Sequence, residues 1–360
     1  MSLLVIGASP LNDKKAHAGG QLTLTLGLLA YLRDQNINYR VIDTYVSQFP
    51  RIGCFSRVKK ALFDLLKLFR ELVQFRPIGI IIFSGGGLGF YEKSLYCLIC
   101  RAFRVENSLI IVDGFFITSN AKKKYAIFTR LLLLFPNFIV AQGFSWKKFY
   151  KEKFGIDKKV HIIHNWFKID DSVLSRLGSV KQDPDNIIVF FCGWLVKEKG
   201  VLELTQVAQQ FQTSHKNVRF VFAGGGDLYD YCINQQNNGK LKNSNFLGWV
   251  ETSDLDALYR KADIFVLPSY AEGFPNVLLE AMSFSLPIVA SNVGAISDSV
   301  IDYVNGFCIK PKSIDSLLKA LTILVENDTL RAKYGDESFR ILQQNHDSEK
   351  CCKKLIELFI

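Results

Sequence analysis

Two glutamates separated by seven residues lie in the segment of this chain whose residue types are the strongest candidates for a functional site. Glu272 and Glu280 lie in Ser269-Tyr-Ala-Glu-Gly-Phe-Pro-Asn-Val-Leu-Leu-Glu-Ala-Met282, after the strand-like run Asp263–Leu267. Pro275 suits the first turn of a helix, which places Glu272 in the loop at the carboxyl end of the strand and Glu280 on the helix. Carboxylates accept hydroxyl protons, and the N–H groups of a helix start hold an anion. The pattern suits a polyol that carries phosphate. Taken alone, the pattern is equally typical of a structural role, in which Glu272 caps the helix and Glu280 lies at the surface or the edge of the core.

Glycine-rich turns follow several strand-like runs and offer backbone N–H groups to phosphate oxygens. They are Gly19-Gly20, Gly85-Gly86-Gly87 and Gly224-Gly225-Gly226. None completes Gly-x-Gly-x-x-Gly, and the chain has no Gly-x-x-x-x-Gly-Lys-Ser/Thr, which argues against a nicotinamide dehydrogenase and a P-loop NTPase. Gly19-Gly20 is the strongest candidate because it directly precedes a long amphipathic stretch.

Strand-like and helix-like segments alternate along the chain around these residues. In the first half, strands are predicted at Leu3–Ile6, Tyr39–Ile42, Gly79–Phe83, Leu109–Val112, Phe138–Ala141 and His161–Ile163. Helices are predicted at Gln21–Asp34, Ser56–Phe75, Glu92–Phe103, Lys122–Leu134 and Ser145–Phe154. This alternation predicts a parallel sheet covered by helices.

A polar stretch, Ser179–Asn186, is interpreted as a linker or the edge of a second domain, after which the alternation restarts. Strands are predicted at Ile187–Cys192, Val218–Ala223, Asn245–Leu247, Ile264–Leu267 and Pro287–Ala290. Helices are predicted at Gly200–Phe211, Asp254–Arg260, Pro275–Phe284 and Ser313–Asn327, with a tail from Leu330 to Ile360 that is helical throughout. The pattern predicts an α/β protein of two doubly wound domains, with ligands beyond the carboxyl ends of the strands.

Composition excludes several classes of protein. The 360 residues are 49% hydrophobic and 22% charged with nine prolines, which excludes a mainly disordered or collagen-like chain. No apolar stretch reaches the length of a membrane span, and the start of the chain has no basic n-region, so we expect a cytoplasmic protein with reduced thiols. Cys97-x-x-Cys100 lies in a predicted helix without a second pair or nearby His, which favours ordinary thiols over a redox or metal pair.

The net charge of +10 is unevenly distributed along the chain. Residues 1–166 carry 24 Lys and Arg against 10 Asp and Glu, whereas residues 167–360 carry 20 against 24. This excess predicts that the first half faces an anionic partner. Ser56–Arg70 mixes cations with a wide apolar face, which indicates peripheral contact with anionic lipid or a solvated helix packed on the sheet. No nucleic-acid-binding module is legible, so nucleic acid is not expected.

The segment with the two glutamates resembles the E-x7-E motif of retaining GT-B glycosyltransferases of family 4. Further segments agree, in a resemblance that covers residues 187 to 342 most strongly: Cys192-Gly-Trp-Leu-Val-Lys-Glu-Lys-Gly200, Gly248-Trp-Val250, Leu258-Tyr-Arg-Lys-Ala-Asp-Ile-Phe-Val-Leu-Pro-Ser269, Leu286-Pro-Ile-Val-Ala290 and Asn305-Gly-Phe307. His164-Asn-Trp166 is similar to the hinge sequence of the family.

The resemblance implies roles for individual residues. Glu280 would hold the ribose hydroxyls of the donor, Glu272 would contact the transferred sugar, and Lys199 would neutralise the diphosphate. The remaining donor-site residues implied are Gly19, Gly20, Gly193, Trp249, Val250, Gly273, Phe274, Pro275, Asn276 and Val277. The family pattern is not complete: Trp194 replaces the usual Arg, and Asp113 stands where the family often has a catalytic-site His.

The resemblance also implies a fold and an activity. It implies an acceptor-side Rossmann-like domain at residues 1–166, a nucleotide-sugar domain at 167–345 facing it across a cleft, and a helix at 346–360 that returns to the first domain. The activity would be metal-independent transfer, without a cofactor, from a UDP- or GDP-sugar to a lipid-linked glycan in surface polysaccharide or O-antigen synthesis. We expect this at the inner face of the cell membrane. The alternatives are a nucleotide-sugar 2-epimerase and, because of Trp194 and Asp113, a catalytically weak partner subunit.

Overall fold

The computed structural model describes residues 2–9, 20–45, 54–112, 114–121, 123–175 and 186–360. The chain divides into two compact units. The first contains residues 1–168 and the C-terminal segment Ser348–Ile360, and the second contains Ile169–Asp347. Within the described ranges, no helix is both long and apolar enough to cross a bilayer.

The first unit is built on a parallel six-stranded sheet. Its strands are β1 (Ser2–Gly7), β2 (Asn38–Asp43), β3 (Gly79–Ser84), β4 (Glu106–Ile111), β5 (Phe138–Ala141) and β6 (Val160–Ile162), in the order β2-β1-β3-β4-β5-β6. The helices between them are α1 (Gly20–Asp34), α2 (Cys54–Gln74), α3 (Leu88–Ala102), α4 (Gly114–Asn120), α5 (Lys123–Leu132) and α6 (Phe144–Phe154). β3 is buried along its whole length, as expected for a continuous apolar run in a sheet covered on both faces.

The second unit repeats this architecture. Its strands are β7 (Ile187–Cys192), β8 (Val218–Ala223), β9 (Ser244–Phe246), β10 (Ile264–Leu267), β11 (Ile288–Ser291) and β12 (Gly306–Ile309), all parallel, in the order β12-β11-β10-β7-β8-β9. The helices are α7 (Asp171–Leu174), α8 (Val201–Ser214), α9 (Tyr229–Asn237), α10 (Thr252–Lys261), α11 (Asn276–Ser283), α12 (Ile314–Val325) and α13 (Asp328–Asn345).

The end of the chain completes the core of the first unit. α14 (Ser348–Ile356) packs on α1, and Cys352, Leu355 and Phe359 join the same buried cluster as residues of β1 and β3. A Cβ atom at Gly79 would lie 2.5 Å from Cδ1 of Phe359, so the glycine at the start of β3 makes room for this ring. The C-terminal segment is therefore an integral part of the first unit.

Two doubly wound sheets were predicted, and the structure confirms them, with every strand-like run on a strand. β12, α4, α7 and α9 were not predicted, because they are short or, in α9, lack an apolar period. The prediction of an unbroken helical tail was wrong: the chain breaks at His346 and Asp347 between α13 and α14. His346 is buried, with its Nε2 2.7 Å from Ser299 Oγ, and this tertiary contact fixes the break. Of the predicted linker, only Asn186 lies within the described residues.

Candidate active site

The residues singled out in the second unit collect at the carboxyl ends of its central strands. β10 and β7 are neighbours in the sheet, so the loop after β10, which carries Glu272, adjoins the turn Lys197–Lys199 that follows β7. This strand edge is where open α/β sheets bind their ligands.

Lys199 and Glu272 form an ion pair across these two loops. The Lys199 Nζ atom lies 2.5 Å from Glu272 Oε1, and only 25% and 11% of the two side chains remain exposed. The backbone N–H of Tyr270 donates to the carbonyl of Glu198 at 2.7 Å and ties the loops together. A cation and a carboxylate thus share one largely desolvated position, where charge interactions are stronger than in bulk water.

Two glycines permit this close approach of backbones. Gly200 has φ +71°, and a Cβ atom there would overlap the carbonyl of Pro268, which precedes the Glu272 loop. Gly294 has φ +59°, and its Cβ would collide with the carbonyls of Glu272 and Gly273. The N–H of Ala295 also donates to the Gly273 carbonyl at 3.0 Å. Both positions require a left-handed backbone and no side chain, so they set the path of the loop that carries Glu272.

Helix α11 begins immediately after the Glu272 loop. Pro275 is its N-cap rather than part of its first turn, and no side chain caps the helix start. The interpretation of Glu272 as a helix cap is therefore wrong, since its carboxylate holds Lys199 instead. Phe274 is anchored by stacking on His346, with ring centroids 5.1 Å apart. Val277 lies in the first turn of α11. Packing of Phe274 thus holds the loop that leads into α11, and the N–H groups of a helix start are a general binding site for anions.

Glu280 lies on α11 and faces a buried tyrosine. The Tyr259 hydroxyl donates to Glu280 Oε2 at 2.9 Å, and the Tyr259 ring stacks on Phe284 with centroids 5.3 Å apart. The glutamate keeps some exposed surface, yet desolvation of its carboxyl group raises its pKa. Burial together with the charge of Glu280 raises the pKa of the nearby Cys192 thiol to about 12. Glu280 is thus a positioned acceptor at the edge of the core.

Two tryptophans pack together at the ends of β7 and β9. Trp194 and Trp249 meet edge to face with ring centroids 4.6 Å apart. Gly225, in the turn after β8, lies under Trp249, because a Cβ there would be 2.5 Å from the indole Nε1. Gly193, just before Trp194, has a positive φ of +156°. Trp194 therefore contributes packing where the resembling family supplies a cation, and Val250 follows in the same loop.

The sequence did not predict a second set of contacts that supports this site, around Tyr270. The Tyr270 hydroxyl donates to Glu203 Oε1 at 2.6 Å, and Lys312 Nζ lies 4.7 Å from the Tyr270 ring centroid. Desolvation and this bond raise the pKa of Tyr270. Tyr259 was also missed as the partner of Glu280, although both lie in segments that matched the family. A tyrosine in a motif gives no sign of its partner until the strand order is known.

The remaining predicted residues fall elsewhere. Gly20 begins α1 in the first unit, whereas Gly19 and Asp113 lie outside the described residues. Cys97 and Cys100 are buried in α3, where desolvation raises both thiol pKa values, in agreement with ordinary packing thiols. In the part of the chain that the structure describes, no group of three or more His, Cys, Asp or Glu side chains is arranged to hold a metal ion.

Comparison with known proteins finds a family match within the second unit. Residues 178–340 match the family model described as glycosyl transferases group 1. An uncharacterized glycosyltransferase of Methanocaldococcus jannaschii is 34% identical over 56% of this chain and 54% of its own length, so the chain spans about half of that relative. The capsular polysaccharide biosynthesis glycosyltransferase CapM of Staphylococcus aureus is 22% identical over 82% of this chain and 73% of its own.

Solved structures extend the likeness to both units. Sucrose-phosphate synthase from Thermosynechococcus elongatus has a TM-score of 0.78 at 16% identity and covers 99% of this chain and 98% of its own. Anabaena HepE in complex with UDP has a TM-score of 0.74 at 17% identity, with 99% of each chain covered. The chain therefore has the GT-B fold, and the family match and relatives support a glycosyltransferase enzyme.

Proposed function

We propose that this protein is a retaining, metal-independent glycosyltransferase that moves a sugar from a nucleoside diphosphate sugar to a hydroxyl of a glycan acceptor. The observation that carries the proposal is the Lys199–Glu272 pair beside the start of α11, with Glu280 one turn further on. A cation, a helix start and a carboxylate at one strand edge match the diphosphate, the sugar and the ribose of such a donor.

The diphosphate leaving group is the part of the donor whose developing charge most needs stabilisation. As the glycosidic bond breaks, positive charge develops on the sugar and negative charge on the diphosphate. Preorganised donors aimed at the developing charge are usually the largest contribution to catalysis. Lys199 would supply this stabilisation, and the carboxylate of Glu272 would hold both the ammonium group and the transferred sugar. Attack from the same face, assisted by the leaving phosphate, fits this arrangement without a carboxylate nucleophile.

Support for the substrates comes from the similar proteins. Anabaena HepE was solved with UDP, which favours a UDP-sugar donor over a GDP-sugar. The name of the CapM relative refers to capsular polysaccharide biosynthesis, which favours a glycan acceptor in surface polysaccharide synthesis. The acceptor that we propose is lipid-linked and lies at the inner face of the cell membrane. For Gly19 and Gly20 the proposed ligand is the donor phosphate, and for Asp113 it is a sugar or acceptor hydroxyl.

The test is product formation by the purified 360-residue chain. UDP- and GDP-sugars are incubated with a lipid-linked glycan, with and without EDTA, and proton NMR reports the configuration at the anomeric carbon. The proposal expects a disaccharide linkage of retained configuration at an unchanged rate in EDTA. Conversion of the donor to its 2-epimer would favour the epimerase instead, and failure of both transfer and donor hydrolysis would favour a partner subunit.

A further inference from the structure

A second cross-link joins the same two loops as the Lys199–Glu272 pair. Glu203 lies in the first turn of α8, four residues after Lys199, and Tyr270 lies two residues before Glu272. The Tyr270 hydroxyl donates to Glu203 Oε1 at 2.6 Å, and the Tyr270 backbone N–H donates to the carbonyl of Glu198 at 2.7 Å. The loop after β10 is thus attached to the segment around Lys199 through both the backbone and the side chain of one tyrosine.

The carboxylate of Glu203 is only partly satisfied where it lies. Its second oxygen, Oε2, is buried and has no hydrogen-bond partner among the residues that the structure describes. A buried acceptor without a partner is unfavourable, and such groups in native proteins are frequently tied to function. Loss of the Tyr270 hydroxyl would remove the bond to Oε1 as well and leave a desolvated carboxylate four residues from Lys199.

Tyr270 is also contacted from a third loop and remains a hydrogen-bond donor. Lys312, in the turn after β12, has its Nζ atom 4.7 Å from the centroid of the Tyr270 ring, within the range of a cation–π contact. Desolvation and the bond to Glu203 raise the pKa of Tyr270, so its hydroxyl stays protonated near neutral pH. The Tyr270 side chain therefore contacts residues that follow β7 and β12 while itself following β10.

We infer that Tyr270 and Glu203 are positioning residues that hold Lys199 and Glu272 at the separation that turnover requires, without contacting the donor themselves. The inference rests on the proposed function, in which Lys199 stabilises the leaving diphosphate. An ammonium group is effective only where it meets developing charge, and a misplacement of about 1 Å can lower a rate by about a hundredfold. The bond between Tyr270 and Glu203 runs beside the Lys199–Glu272 pair and limits such a shift.

The chemistry of the two groups favours this role over direct contact with the diphosphate. The proton of the Tyr270 hydroxyl is donated to Glu203, and a hydroxyl has no second proton to offer to a phosphate oxygen. The carboxylate of Glu203 carries the same sign of charge as the diphosphate and would repel it at close range. The contribution of both residues to the reaction therefore passes through Lys199 and Glu272.

Steady-state kinetics of the 360-residue chain test the inference with the UDP- or GDP-sugar that wild type turns over fastest. Tyr270→Phe removes the hydroxyl but keeps the ring that Lys312 contacts. It should lower kcat by about tenfold or more, with donor KM and UDP affinity within about twofold of wild type. Glu203→Gln keeps an oxygen that accepts the Tyr270 hydroxyl and should retain kcat within about threefold. The matched control Tyr303→Phe alters a tyrosine of the same unit that is 73% exposed, and it should behave as wild type does.

A double-mutant cycle distinguishes a pair from two independent groups. Glu203→Ala should lower kcat about as much as Tyr270→Phe, and Tyr270→Phe/Glu203→Ala should lose little more than either single variant. Single losses that multiply in the double variant would overturn the pairing. Wild-type kcat in Tyr270→Phe would overturn the inference, as would a loss of UDP affinity equal to the loss of kcat, because Tyr270 would then bind the donor directly.

Hydrogen exchange reports the fixation of the loop without any reaction. Backbone amides of residues 268–273 should exchange about tenfold faster in Tyr270→Phe than in wild type, at unchanged resistance to urea. Exchange at the wild-type rate would contradict the inference. A wild type that turns over no donor, together with faster exchange in Tyr270→Phe, would reject the proposed function and leave the fixation of the loop by Tyr270 in place. If Tyr270→Phe does not fold, Glu203→Ala supplies the same measurements.

Discussion

Replacement of Glu280 separates the role of this residue in donor binding from its role in packing. Glu280→Gln keeps a carbonyl acceptor for the Tyr259 hydroxyl but removes the charge that strengthens hydrogen bonds to ribose hydroxyls. Bonds to charged groups contribute about 1.5–3 kcal/mol, which corresponds to a loss of roughly tenfold to a hundredfold in affinity for UDP. Glu280→Ala should lose affinity similarly and also leave the buried Tyr259 hydroxyl without its acceptor, lowering the free energy of unfolding by about 1–3 kcal/mol.

Calorimetric titration with UDP and urea unfolding measure the two effects independently. The expected pattern is weakened binding in both variants and a marked loss of stability only in Glu280→Ala. Glu152→Gln, which alters an exposed glutamate of the first unit, is the matched control and should change neither quantity. If Glu280→Gln and Glu280→Ala both bind UDP with wild-type affinity, the ribose assignment is refuted, whatever happens to stability.

The raised pKa of Glu280 adds a dependence on pH. Because the folded protein holds this proton more tightly than the unfolded chain, the associated stability is present below the ordinary value of 4.5 and is lost as pH rises through the folded pKa. Glu280→Gln does not titrate and escapes this loss. The unfolding free energy of Glu280→Gln relative to wild type should therefore rise as pH increases from about 4.5 toward neutrality. A difference that is constant with pH, or that falls, would contradict the desolvation of this carboxyl group.

Three further outcomes follow from other parts of the second unit. Lys199→Met should lower kcat by about a hundredfold or more with a smaller change in KM, because phosphate charge grows in the transition state; equal steady-state rates would remove Lys199 from the mechanism. Gly294→Ala should lower the unfolding free energy by about 1–3 kcal/mol through its positive φ and the overlap with Glu272, whereas Gly89→Ala, with open space around it, should be neutral or stabilising in the same urea titration. Cys192 and Cys308, whose pKa values burial raises to about 12, should react slowly with Ellman's reagent at pH 8 until the protein is unfolded, and rapid native labelling would contradict that burial.

Much of this protein is encoded in patterns that act locally. Runs such as Gly79–Ser84 and Ile187–Cys192 are apolar almost throughout and are buried on both faces. A continuous apolar run of this length predicts a strand of a parallel sheet that is covered on both sides, whichever strands lie beside it. The spacing of Glu272 and Glu280 places one residue in a loop and the other on the following helix, because a helix start is determined by a few adjacent residues. The segment that carries these two residues resembles a glycosyltransferase motif, and this resemblance predicts the fold from adjacent residues alone.

The contacts that make the candidate site were decided by tertiary structure. Lys199 and Glu272 are 73 residues apart, and they meet because β7 and β10 are neighbours in the sheet, which no spacing along the chain reveals. Trp194 and Trp249 likewise meet only in the folded protein. Tertiary structure also leaves apolar side chains of α2, such as Leu62 and Leu66, exposed. An amphipathic pattern shows that a helix has an apolar stripe, but the number of stripes that remain uncovered depends on which elements pack beside it. Local sequence patterns determine which elements form and which residue types are present for chemistry. The order of the strands determined which of those residues meet, because contacts between distant segments depend on packing rather than on local preference.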